Sequence, residues 1–241
     1  MATTNKTAIV TGASQGIGKA LVEAFLKRGY SVVANSQNIT KANPFPASTN
    51  LALVDGDIGD PKTAARIVDT AVSRFGRIDV LVNNAGIFIP KPFTDYTTED
   101  FNALVSTTLA GFLYVSQLSV KQMLRQKSGS IVNVSTTLVD HPVSGVTVSV
   151  QVMAKGSLNA VTRALAMEYA KDGIRVNTVA PSVIKTPMHK PETYEFLKGL
   201  QPLGRMGEIQ EVVDAVLFLT DATFTTGETL HVDGGAHAGK W

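Results

Sequence analysis

Residues 7–25 read TAIVTGASQGIGKALVEAF, and this stretch decides the fold. Ala8, Ile9 and Val10 form a short apolar run without alternation, the pattern of a strand covered on both faces. Gly12, Gly16 and Gly18 follow at once, and Ile17, Leu21 and Phe25 then recur every four residues as one apolar helical stripe. Glycines at a strand-to-helix turn let the backbone bend tightly and let a diphosphate approach. The helix N-terminus adds free N–H groups and the positive end of its dipole. Ser14 and Gln15 add hydrogen-bonding side chains. With 20 glycines in 241 residues the triplet alone is a weak signal, and a plain tight turn competes with it; the flanking strand and helix give it weight.

Outward from this unit, strands are expected at 31–34, 51–54, 80–82, 130–134, 174–179 and 229–232. Helices are expected at 61–75, from Thr98 onward, from about Val150 and at 208–219, with 181–202 irregular or loosely helical. Phe101, Leu104, Val105, Leu109, Phe112 and Val115 are placed on one helical face, and Val152, Leu158, Val161 and Leu165 on the buried face of the next helix. Strands alternating with helices give right-handed βαβ units, a mostly parallel sheet and helices on both sides. No repeat or linker interrupts the pattern, so residues 1–241 are expected to form one α/β domain.

Composition excludes several classes. The formal net charge is +2 with scattered Lys and Arg, which gives nucleic-acid binding no support. No apolar run approaches the ~20 residues of a membrane span, and the N-terminus leads straight into the first strand, so no signal peptide is expected. The absence of cysteine excludes disulfides, thiolate nucleophiles and Cys-ligated zinc, and is compatible with a cytoplasmic protein. The four histidines show no paired metal-ligand spacing, so no metal is expected.

At this point the chain resembles the short-chain dehydrogenase/reductase family. The likeness rests on TGASQGIG at 11–18, Asp57-Ile58, NNAG at 83–86, Lys155, RVNTVAP at 175–181, TPM at 186–188 and GETLHVDGG at 227–235, in that order. It implies a seven-stranded Rossmann sheet, a nicotinamide dinucleotide, a small-molecule alcohol or carbonyl substrate and a homo-oligomer, usually a tetramer, otherwise a dimer. Carried over residue by residue, the cofactor set is Gly12, Ser14, Gln15, Gly16, Ile17, Gly18, Asn35, Ser36, Asp57, Ile58, Asn83, Ala85, Gly86, Lys155, Pro181, Ile184 and Thr186. Asp57 and Ile58 resemble an adenine contact, Ile184 the residue that packs on the nicotinamide ring, and Thr186 the one that holds its carboxamide. A substrate lid is implied near 183–205, and a subunit contact at 227–241 with Leu230, Val232 and Trp241.

The sequence departs from the family where its chemistry lies. The family's Tyr-x-x-x-Lys pair puts phenol and ammonium on one helical face, and the lysine lowers the phenol's pKa toward working pH. Here Lys155 is present and Gln151 holds the tyrosine position (QVMAK). An amide can hydrogen-bond a carbonyl but does not titrate in this range. The serine that polarises the carbonyl corresponds to Ser135 or, in better alignment, Thr136; the interval to Gln151 is a few residues long. The family's helix asparagine aligns with Thr108. His141, Ser149, Tyr96 and Tyr194 are candidates to supply what is missing. At the end of the second strand, Ala34-Asn35-Ser36-Gln37 contains neither the acid that favours NAD nor the arginine that favours NADP. The missing acid leans the choice toward NADP, with NAD the alternative; Lys41 and Arg28 are the nearest cations. An oxidoreductase with an altered proton relay is favoured, because the lid residues Thr186 to Leu200 and the cofactor positions are retained; a nucleotide-binding protein with little redox activity is the alternative, and another reaction on the same fold is a third.

Overall fold

The computed structural model describes residues 5–239. Seven parallel strands form one sheet: β1 (Thr7–Thr11), β2 (Ser31–Ser36), β3 (Leu51–Asp55), β4 (Val80–Asn83), β5 (Gly129–Val134), β6 (Ile174–Pro181) and β7 (Thr229–Val232), in the order β3-β2-β1-β4-β5-β6-β7. β1 is buried throughout, as its unbroken apolar run predicts. One face packs on α1 (Gly16–Lys27) and α8 (Ile209–Asp221) through Leu21, Val22, Phe25, Val213 and Val216. The other packs on α3 (Pro61–Phe75) and α5 (Gly111–Gln126) through Ile67, Ala71, Val115 and Met123. The remaining helices are α2 (Ile39–Ala42), α4 (Thr98–Val105), α6 (Ser149–Tyr169) and α7 (Tyr194–Lys198). The domain is a doubly wound Rossmann-type α/β fold, as the strand–helix alternation predicts.

Two local expectations change, and the irregular 181–202 stretch is as expected. The helix from Thr98 is interrupted by one π turn, Ser106–Ala110, between α4 and α5. An extra residue in a turn rotates everything beyond it by about 100° around the axis. Phe101, ahead of the π turn, is 41% exposed, while Leu104, Phe112 and Val115 stay inside and Thr108 joins them. On α6, Leu158 is buried, but Val152, Val161 and Leu165 are only half-buried, because Val150, Gln151, Ala154, Lys155, Asn159 and Thr162 form the inward face. The 181–202 segment contains a single 3₁₀ turn, Pro191–Thr193, and the short α7. By length and composition, Thr98–Gln126 is the one helical stretch among the described residues that could cross a membrane, and its inner face is committed to the sheet and to α3.

Candidate functional site

β1 and β4 stand side by side where the strand order reverses, so their C-terminal ends open on the crevice that such sheets use for ligands. Two loops line it, residues 12–18 and 83–86, and side chains stitch them together. Asn84 Nδ2 donates to Thr11 O at 2.9 Å and Gly12 O at 3.1 Å. The Asn84 and Ala85 amides donate to Thr11 Oγ1, each at 3.1 Å. The fit leaves no room for side chains: a Cβ on Gly12 would stand 2.8 Å from Ala85 Cα, and one on Gly18 2.2 Å from Gly12 O. Gly12 and Gly16 also hold left-handed backbone, with φ of +65° and +55°. Thr11 and Asn84 were not among the expected site residues, although both lie inside the quoted motifs.

The helix that follows is open at its positive end. Gln15 precedes α1 in an extended conformation without a side-chain capping bond, and no acid occupies the first turn. α3, α4 and α8 instead start with side-chain caps from Asp60, Thr97 with Asp100, and Glu208 with Glu211. The N–H groups at the start of α1 thus keep unmet donors beside a glycine cradle, the combination that receives a phosphate. Thr186 overhangs this cradle; a Cβ on Gly16 would lie 3.7 Å from Thr186 Cβ.

The other expected cofactor residues distribute around the crevice. Ser36 Oγ donates to Ser14 Oγ at 3.1 Å at the end of β2. Asn35 is 1% exposed, and its amide donates to Val54 O and Gly56 O, so its side chain braces the β2–β3 edge instead of facing a ligand. Asp57 is exposed and accepts from the Gly59 amide at 2.8 Å. Ile58 is buried where Gly111 begins α5; a Cβ there would stand 2.8 Å from Ile58 Cγ2. Asn83 donates to Ser116 Oγ and Asn133 Oδ1, and its own Oδ1 has no partner. It shares a void of about 10 Å³ with Thr108, whose Oγ1 is also unpartnered; that is space for about one water. Pro181 ends β6. Ile184 is 4% exposed and packs on Gly207, so its side chain is turned into the protein.

Beyond β5 lie the residues of the expected relay. Ser135 is 5% exposed and donates its hydroxyl to Lys155 O at 3.2 Å, away from the crevice. Thr136 Oγ1 accepts from the Leu138 amide at 3.3 Å and caps a 3₁₀ turn. Gln151 and Lys155 face inward one turn apart on α6, at 6% and 7% exposure. Gln151 Oε1 is buried without a partner. Lys155 Nζ donates to Val134 O at 2.7 Å, and a Cβ on Gly86 would come 3.2 Å from that nitrogen. Burial alone lowers the Lys155 ammonium from 10.5 to about 8. Tyr96 spends its hydroxyl on Ile89 O at 2.6 Å, which removes it from the relay candidates. His141 and Tyr194 are half-buried and Ser149 exposed.

A second anchor went unnoticed in the sequence, although its residue lies in the quoted GETLHVDGG. Thr137 Oγ1 donates to Asp233 Oδ2 at 2.8 Å, and His237 Nδ1 is also 2.8 Å from that oxygen. Burial pushes the Asp233 carboxyl up, and bonds from Thr137, His237 and Gly235 more than offset this, holding it below the usual carboxylate value. Asp140 and His231 add a contact at 3.0 Å, so the loop from β5 to α6 is tied both to β7 and to the segment after it. Among the described residues no three His, Asp or Glu side chains converge as a metal site.

Fold and crevice together define a doubly wound protein of the dinucleotide-binding class. Over residues 12–237 the chain matches the family described as enoyl-(acyl carrier protein) reductase. A tropinone reductase homologue of Arabidopsis thaliana is 37% identical over 95% of this chain and 92% of its own. The glucose 1-dehydrogenase of Gluconobacter oxydans is 35% identical over 95% and 91%. Among solved structures, ElxO with NADP bound superimposes with a TM-score of 0.90 at 30% identity, over 98% of this chain and 100% of that one. A 3-ketoacyl-(acyl-carrier-protein) reductase from Brucella melitensis complexed with NADH gives 0.90 at 29% identity, over 96% and 98%. The chain belongs to the short-chain dehydrogenase/reductase family of oxidoreductases.

Proposed function

We propose that this protein transfers hydride between a nicotinamide dinucleotide and a small alcohol or carbonyl compound, with a proton relay that lacks the family's tyrosine. The observation that carries the reading is the uncapped start of α1 behind glycines that no side chain could replace. Gly12 and the α1 N–H groups from Gly16 to Gly18 hold the diphosphate, with Ser14, Gln15 and Ile17 flanking it. Asp57 and Ile58 border the adenine; Asn83, Ala85 and Gly86 form the floor, Lys155 takes the ribose hydroxyls, and Pro181 and Thr186 close over the nicotinamide, with the inward-turned Ile184 bracing them from behind. When bound, the cofactor supplies the hydride.

NADP is the preferred form. β2 itself ends without an acid to repel a 2′-phosphate, the neighbouring Asp55 on β3 is bonded to Thr40, and the Ser14–Ser36 hydroxyl pair lies there. ElxO was solved with NADP, and a gluconate 5-dehydrogenase from Burkholderia cenocepacia with NADP and tartrate. Residues 183–205 act as the substrate lid. Gln151 donates an amide hydrogen bond to the substrate carbonyl beside Thr136, with Ser135 behind them. Exposed Met153 and Met167 on α6 and Phe218 on α8 leave apolar surface for a dimer or tetramer; Trp241, expected in that contact, lies outside the described residues. The protein works in the cytoplasm.

The test is loss of reduced-nicotinamide absorbance with NADPH or NADH across a panel of small ketones and aldehydes. Turnover that favours NADPH supports the proposal. A second reading, a nucleotide-binding protein with little redox activity, draws on the non-titrating amide of Gln151; NADPH binding without turnover on any of the panel selects it.

A further inference from the structure

Among the groups of the crevice, one buried titratable side chain has no ionic partner. Lys155 lies inside α6, and its ammonium makes a single hydrogen bond, to Val134 O, out of the three it can donate. Charged groups on the elements packed against it are engaged elsewhere. Asp140 meets His231 and Asn159, Asp100 meets Lys91, and Arg175 donates to the carbonyls of Leu219, Thr220 and Thr225. The side chain one helical turn earlier on the same face, Gln151, has no proton to exchange. The nitrogen is held at the crevice floor because residue 86 is glycine, where even a Cβ would crowd it.

We infer that Lys155 is itself the proton donor and acceptor of the reaction, in place of the absent phenol. The inference rests on the oxidoreductase reading given above. In reduction, the carbonyl carbon takes a hydride from a reduced nicotinamide, the C=O π pair moves onto oxygen, and that oxygen takes a proton from the Lys155 ammonium. The neutral amine left behind is reprotonated from solvent. In oxidation, the neutral amine removes the hydroxyl proton as hydride leaves the carbinol carbon for the oxidised nicotinamide. A lysine desolvated to about 8 exchanges protons near neutrality, as a general acid–base must, whereas an exposed lysine does not.

The first test needs no substrate. Competitive acetylation of the unliganded protein across pH 6–11, read by peptide mass spectrometry, gives the midpoint at which each lysine becomes nucleophilic. Lys155 is expected to stand near 8, well below the ordinary lysine value of about 10.4. A Lys155 that titrates with the others overturns the inference, whether or not any substrate is found.

The second test uses the absence of cysteine. Lys155→Cys alone is expected to lose reduction at least a hundredfold. Alkylation of that single thiol with 2-bromoethylamine restores the chain length and an amine of lower basicity. The restored protein is expected to recover turnover, with the alkaline fall of kcat/KM displaced to lower pH. An unmoved profile, or a Lys155→Cys protein that keeps kcat and only binds NADPH more weakly, reduces Lys155 to a holder of the cofactor. Failure of the wild-type protein to bind NADPH or NADH at all is a separate result and defeats the underlying reading instead.

Discussion

Replacing Lys155 by methionine is expected to stabilise the unliganded protein at neutral pH and to lose that advantage in alkali. The ammonium falls from 10.5 to about 8 on folding because burial strips its water. That gap is worth about 3 kcal/mol against the fold, at about 1.36 kcal/mol per pKa unit. Methionine of similar length removes the charge but leaves Val134 O without its donor, a loss of about 1 kcal/mol. The net gain at pH 7 is about 2 kcal/mol. The sign follows from linkage: between about 8 and 10.5 the unfolded lysine holds a proton that the folded one has released, so wild-type stability rises with pH across that window. Below 8 the penalty is fully present, and above 10.5 it is gone, leaving methionine about 1 kcal/mol the poorer residue. Urea unfolding of both proteins at pH 7 and pH 10.5, at matched concentration because subunit association adds stability, reads the difference. Every other side chain is common to both proteins and cancels in the comparison. A stability difference that does not change with pH would refute the reasoning, since it would mean that Lys155 keeps its hydration in the fold.

Gly18→Ala places a methyl against Gly12 O and Asn84 Nδ2, so it is expected to destabilise the protein by about 1–3 kcal/mol and to weaken NADPH binding at least tenfold; urea unfolding and fluorescence titration measure the two. Gln151→Tyr restores a phenol one turn from Lys155 and is expected to raise ketone kcat/KM on the order of 10²-fold; an unchanged rate in a folded variant would place the proton relay elsewhere. Arg205 and a backbone bond from Glu208 lower the Glu211 carboxyl from 4.5 to about 2, so its stabilisation is present above 4.5 and disappears as pH falls through 2. The pair is half-exposed, so Glu211→Gln should lower stability by no more than about 1 kcal/mol at pH 7 and by only a small remainder at pH 2, as thermal melts at the two pH values will show.

The sheet was legible because its strands carry unbroken apolar runs and its helices a four-residue stripe; Ala8 to Val10 and Leu21 with Phe25 are enough to place the first βα unit. The crevice was legible because glycines at fixed spacing announce a backbone that must come close. What periodicity could not show was where it breaks. No residue type announces the π turn at 106–110, beyond which the apolar stripes of α4 and α5 no longer run in one register. Side-chain commitments were also hidden, because they depend on partners far along the chain. Asn35 meets Gly56, Tyr96 meets Ile89 O, and Asp233 gathers Thr137 from 96 positions away. The same blindness covers Ser135, whose hydroxyl the fold gives to α6.

The proposed chemistry depends on residues 12–18 and 83–86, with the open end of α1, forming a dinucleotide site. Calorimetric titration of the wild-type protein with NADPH and with NADH measures it directly. Saturable binding of one NADPH per chain, tighter than NADH, is expected, together with its loss in Gly18→Ala. No heat and no saturation with either nucleotide, from protein shown to be folded, would contradict it.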